Sequence, residues 1–106
     1  MYSLFNSILV TELEPTECSL GQNYPNPFRK KTVIKYCIAY KTRVHLTIYD
    51  SAGQEIKSLV DEEKKPGTYE VEFQSAIDSW QLASGEYLYR LEAGDYSCEK
   101  KMILLR

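Results

Sequence analysis

A chain of 106 residues, 43% hydrophobic and 26% charged, is sized and composed for one folded domain, which excludes both a two-domain protein and a disordered one. The formal net charge of −2 gives no surplus of Lys and Arg to release counterions from DNA or RNA, so nucleic acid is excluded as a partner. No run approaches the roughly 18 consecutive apolar residues of a membrane span, and the chain is expected to be soluble.

Residues 1–19 mix an apolar patch (Leu4, Phe5, Ile8, Leu9, Val10) with Glu12, Glu14, Pro15 and Glu17 and show no sustained period. They read as a linker or partly ordered arm, with the domain occupying 20–106. The patch has no basic residue before it and no small-residue cleavage site after it, so it is not expected to serve as a signal peptide. The run Leu20-Gly-Gln-Asn-Tyr-Pro-Asn-Pro-Phe28 follows, its prolines biasing the residues before them away from helix. Tyr24 and Phe28 are expected to plug one end of a core.

From Thr32 the pattern alternates strictly, with Ile34, Tyr36 and Ile38 on one face. Val44, Leu46 and Ile48 repeat it, ending at Asp50-Ser-Ala-Gly53, where glycine suits the left-handed position of a hairpin loop. Ile56 to Val60 reads as the returning strand, and Glu62-Glu-Lys-Lys65 as a charged loop closed by Pro66-Gly67. Tyr69, Val71 and Phe73 then alternate. After a polar connection the chain turns at Ser84-Gly85, runs through Tyr87, Tyr89 and Leu91, turns again at Ala93-Gly94-Asp95, and finishes on Met102 and Leu104. Nine tyrosines suit such half-buried pleated surfaces. Turn signals about every ten residues, with no helix-length segment, predict an all-β antiparallel β-sandwich of about seven strands.

Catalytic chemistry finds little support. The single histidine, His45, sits on the strand face opposite Val44, Leu46 and Ile48, where it is expected to meet solvent, with no second histidine to join it as a ligand. Asp61-Glu-Glu63 and Asp78 lack the alternating oxygen ligands of a calcium loop, and no phosphate loop is present. Cys18, Cys37 and Cys98 are odd in number and read as free, partly buried thiols, with one internal pair the alternative. Trp80 reads either as a lid over one end of the sandwich or as an exposed anchor for a partner or a sugar. No cofactor, metal or enzymatic activity is expected.

The string Leu20-Gly-Gln-Asn-Tyr-Pro-Asn-Pro-Phe28 resembles the opening of the type IX secretion sorting domain family. Later blocks follow in the same order: Thr32 to Tyr36, Val44 to Gln54, Pro66-Gly-Thr-Tyr69 through Phe73, Ser84-Gly-Glu-Tyr87 through Gly94, and the closing Lys100 to Arg106. The resemblance implies an immunoglobulin-like sandwich that directs an N-terminally fused cargo across the outer membrane of a Gram-negative bacterium, via the periplasm, to the surface or the medium. It implies as partners the type IX translocon and a sortase-like cell-surface peptidase that removes the domain. It places the sorting signal on Pro66, Gly67 and Tyr69, on Gly85 and Tyr87, and on Lys100, Lys101, Met102, Ile103, Leu104, Leu105 and Arg106. Docking through the terminal strand or a hairpin edge would fit that role, with the two lysines adding charge. Such a domain normally ends a longer protein, so the chain is expected to be a piece of one, and removal of Lys100 to Arg106 is expected to stop export while sparing the fold. Exposed edges imply pairing between copies, giving a homodimer. The competing expectation is a structural or adhesive immunoglobulin-like module without sorting activity.

Overall fold

The computed structural model describes residues 15–77 and 80–106. The apolar patch of the arm and Asp78 lie outside the described residues. Every described element is a strand: β1 (Ser19–Leu20), β2 (Lys31–Ile38), β3 (Thr42–Asp50), β4 (Glu55–Lys64), β5 (Gly67–Gln74), β6 (Ala76–Ile77), β7 (Trp80–Gln81), β8 (Gly85–Ala93) and β9 (Tyr96–Leu104). One sheet runs β1-β2-β5 and the other β4-β3-β8-β9, with β6 and β7 forming a small separate hairpin, and all these pairs are antiparallel.

The alternating residues carry the core. Ile34, Tyr36, Ile38 and Phe73 from the first sheet face Val44, Leu46, Ile48, Tyr89, Leu91, Met102 and Leu104 from the second, and all are buried. Phe28 lies among them, its ring meeting that of Phe73 edge-on at 6.1 Å and 65°. The predicted sandwich therefore stands, because period-2 burial leaves a sheet only one way to face its neighbour.

Two local expectations fail. Glu62 to Lys64 is not a loop: β4 continues through these residues, with Glu62 opposite Val44 and Lys64 opposite Thr42. As an edge strand, β4 needs fewer apolar side chains and carries charges instead. Tyr24 does not plug the core, being 80% exposed. Its N–H and carbonyl pair with Val33, and the side chain projects away from the sandwich.

The turns follow from local chemistry. Asp50 Oδ1 accepts the N–H groups of Ala52 and Gln54, each at 2.9 Å, and Gly53 takes φ +89° to close the loop. At the other end of the hairpins, Tyr40 lies across the Gly94 turn, its hydroxyl donating to the Ala93 carbonyl and accepting from the Asp95 N–H, both at 3.3 Å.

Candidate functional site

The residues that the resemblance singles out fall at two opposite ends of the molecule. Gly67 pairs with Ile38 at the end that also holds Thr42 and Lys64, whereas Gly85 pairs with Leu104 at the other end. Pro66 and Gly67 therefore lie at the opposite end from the last residues of the C-terminal strand, whereas Gly85 and Tyr87 lie beside them, Tyr87 standing opposite Met102.

Both glycine-tyrosine blocks have the same internal geometry. Tyr69 donates its hydroxyl to the Lys65 carbonyl, and Tyr87 donates to the Ala83 carbonyl, each at 2.6 Å and each four residues back. This is a tyrosine corner made twice: the ring packs at the start of a strand and its hydroxyl ties down the turn before it. Tyr69 also stacks on Tyr36 at 5.4 Å and lies under the Lys64 ammonium at 4.9 Å. Burial raises the Tyr87 hydroxyl above its ordinary pKa, as it does that of Tyr36, and the protonated phenol is the form that can donate.

The terminal residues divide by strand alternation. Met102 and Leu104 are fully buried, whereas Lys101 and Ile103 point to the outer face of the sheet. The Lys101 side chain is 67% exposed, 3.9 Å from Glu86. Lys100 lies on the opposite side of the strand from Lys101, so the two ammonium groups make no joint patch. Beyond the strand, Leu105 is 40% exposed and Arg106 donates to Gln81 Oε1 at 2.6 Å. Removing Lys100 to Arg106 would therefore not spare the sandwich, since two core side chains and half of a strand leave with the segment.

A set of residues outside the expected signal holds this strand in place. Gln22 Nε2 donates to the Lys101 carbonyl at 2.7 Å, Asn26 Oδ1 accepts from the Ile103 N–H at 2.9 Å, and the Phe28 backbone pairs with Ile103 and Leu105 at 2.9 and 2.8 Å. On its other side this lead-in, Gln22–Phe28, bonds β2 through Tyr24 to Val33, directly after the Gly21 bond to Lys35. It thus continues along β2 from where β1 leaves it and ties the first sheet to the β9 edge of the second. Buried Asn23 anchors it, donating its N–H to the Tyr89 hydroxyl and its amide to Thr32 and Pro25, while accepting from Gln22. Tyr89 in turn donates to the Gly21 carbonyl at 2.7 Å, and burial pushes its pKa up to about 12. The sequence signal for this clamp is the cluster of amide side chains interleaved with prolines.

A family model described as a secretion system C-terminal sorting domain matches residues 22–105, spanning the lead-in through the last strand. The chain belongs to this family of type IX sorting domains. Among solved structures, the crystal structure of dimeric latent PorU from Porphyromonas gingivalis is similar to the sorting domain, with a TM-score of 0.63 and 20% identity over 92% of this chain. The domain spans 10% of that chain, and the likeness speaks to the β-sandwich fold. No curated protein matches it in sequence.

Elsewhere the surface of the sorting domain carries several charged pairs. His45 Nε2 lies 2.8 Å from Asp61, which also meets Arg43, and Arg90 meets Glu99 at 3.0 Å over the Tyr49 ring. These are exposed cross-strand pairs of small individual worth. Cys18, Cys37 and Cys98 are free and half-buried. Trp80 is 56% exposed on the small hairpin.

Proposed function

We propose that the domain is a C-terminal address for type IX secretion, taking an N-terminally fused cargo through the periplasm and across the outer membrane to the surface or the medium. The translocon recognises it, and a sortase-like cell-surface peptidase then removes it. The role is non-catalytic. The observation that carries this reading is the family match over 22–105. The arrangement of the terminal strand supports it, since Lys101 and Ile103 point to the outer face and Leu105 is exposed just beyond the strand, while Met102 and Leu104 fix the segment to the core. Pro66, Gly67, Tyr69, Gly85 and Tyr87 serve the signal by shaping the domain, through the two tyrosine corners.

The test is a reporter fused ahead of residues 15–106, expressed in a host with an intact type IX system and in the same host lacking its translocon. Translocon-dependent appearance of trimmed reporter outside the cell is the expected result. Periplasmic retention in both hosts would overturn the reading. The exposed Trp80 favours a second one, an adhesive module that binds carbohydrate or a neighbouring protein through the indole. Under it the Trp80→Ala fusion would lose cell binding, with export dispensing with the translocon.

A further inference from the structure

We propose that the lead-in Gln22–Phe28 is a built-in cover for the C-terminal part of the outer edge of β9, from Lys101 onward, so that the secretion machinery reads the C-terminus by side chains and not by adding a strand to it. The proposal rests on the sorting reading. Strand addition needs a row of free backbone donors and acceptors along an edge. On β9 the Lys101 carbonyl and both backbone groups of Ile103, and just past its end the Leu105 N–H, already have partners, all within the lead-in. Two of these four partners are side-chain amides, which match single backbone groups without continuing a ladder of their own. Gln22 and Asn26 thus act as positioning residues: they touch no partner, but hold Lys101 and Ile103 in one register on the outer face.

The cover also explains why the first block and the last block of the sequence occur together. They lie 77 to 79 residues apart along the chain and meet edge to edge in the fold. A β9 strand freed from it would present an unpaired edge ending in Met102-Ile-Leu-Leu105, an apolar segment suited to pairing with another copy.

The experiment compares Asn26→Ala with Asn26→Asp, which keeps the accepting oxygen, and with Gln22→Ala as an independent opening of the same edge. In the purified chain, the Ile103 amide should exchange about tenfold faster in Asn26→Ala, the scale of one lost hydrogen bond, and stay near wild type in Asn26→Asp. Amides of β3 serve as the internal control. In the reporter assay, Asn26→Ala and Gln22→Ala should lower export about tenfold, while Asn26→Asp exports normally. Unchanged Ile103 exchange in Asn26→Ala would overturn the cover. Faster exchange with wild-type export would overturn its role in recognition and leave the sorting reading intact. Failure of the wild-type fusion to leave the cell would overturn the sorting reading itself, and the proposed role with it.

Discussion

The four-stranded sheet has two edges, and they are finished in different ways. At β4 the outer side has no ladder partner among the described residues, and the strand carries Asp61, Glu62, Glu63 and Lys64 in succession, with two register shifts against β3. At β9 the charges thin out towards the C-terminus and a separate segment lies along the edge, bonded to Lys101, Ile103 and Leu105. Both solutions prevent stray pairing, the first by side-chain repulsion and bulges, the second by occupancy. The difference is one of locality. A charged edge is written entirely within its own strand, whereas a covered edge needs residues from the far end of the chain to be folded before it exists. The covered edge should therefore be the more sensitive to mutation, and the open one the more sensitive to concentration.

The largest expected effect comes from Phe28, which contributes both a buried ring and the backbone that pairs with Ile103 and Leu105. Phe28→Ala should cost about 3–5 kcal/mol, the range for truncating a buried aromatic, and so consume a large part of the ~5–15 kcal/mol typical of a domain. Urea unfolding followed by tyrosine fluorescence measures it. A loss below about 1 kcal/mol, the range of ordinary surface changes, would mean that the lead-in is as dispensable as the charges on β4.

The same contrast separates what the sequence discloses from what it conceals. Ile34, Tyr36 and Ile38, or Tyr87, Tyr89 and Leu91, declare their faces because a strand's period is two and the neighbours that define it are adjacent in the chain. Glu62 to Lys64 conceals its strand because edge pairing needs only backbone, and the side chains there advertise solvent. Tyr24 misleads for the opposite reason: an aromatic ring next to proline looks like a plug, yet the backbone is the part that bonds. Within the candidate site, the blocks Lys65-Pro-Gly-Thr-Tyr69 and Ala83-Ser-Gly-Glu-Tyr87 share a spacing visible in the sequence, but the hydroxyl reaching back four residues is a three-dimensional fact. The bonds from Gln22 to Lys101 and from Asn26 to Ile103 leave no periodic trace at all. Length and composition put both blocks in a single domain, and the resemblance put them in one family, but neither gave any hint that they touch.

A middle-sized effect belongs to the tie beneath the lead-in. The Tyr89 hydroxyl donates to Gly21 and accepts from Asn23, so Tyr89→Phe leaves two backbone groups short of a partner at a cost of about 1–3 kcal/mol. The same hydroxyl makes the clamp sensitive to alkali. Burial raises its pKa to about 12 from the ordinary 10.0 of a tyrosine, so the folded state holds the proton more tightly than the unfolded one. Its stabilising contribution is full below about pH 10 and is lost as the pH rises through about 12. Stability measured by urea unfolding at about pH 8 and again at about pH 11 should fall less in Tyr89→Phe than in wild type. Equal falls would show that the alkaline loss arises elsewhere, for example at Tyr36 or Tyr87, whose pKa values burial also raises.

The smallest effect on stability, and the sharpest on association, is expected at β4. Asp61 meets Arg43 and His45 across the strand pair, and Glu63 meets Lys41, all with exposed side chains. Replacing both acids by threonine removes pairs worth a few tenths of a kcal/mol and substitutes a residue that favours strands, so unfolding should shift by no more than about 0.5 kcal/mol. The same change removes two of the edge's acidic side chains while adding no ladder partner to its outer side. Sedimentation across a concentration series should therefore show a larger associated fraction for the double variant than for wild type. If association does not increase, the bulges at Leu46–Thr47 and Ile48–Tyr49 are protecting the edge by shape, and charge is not what distinguishes it from the covered edge at β9.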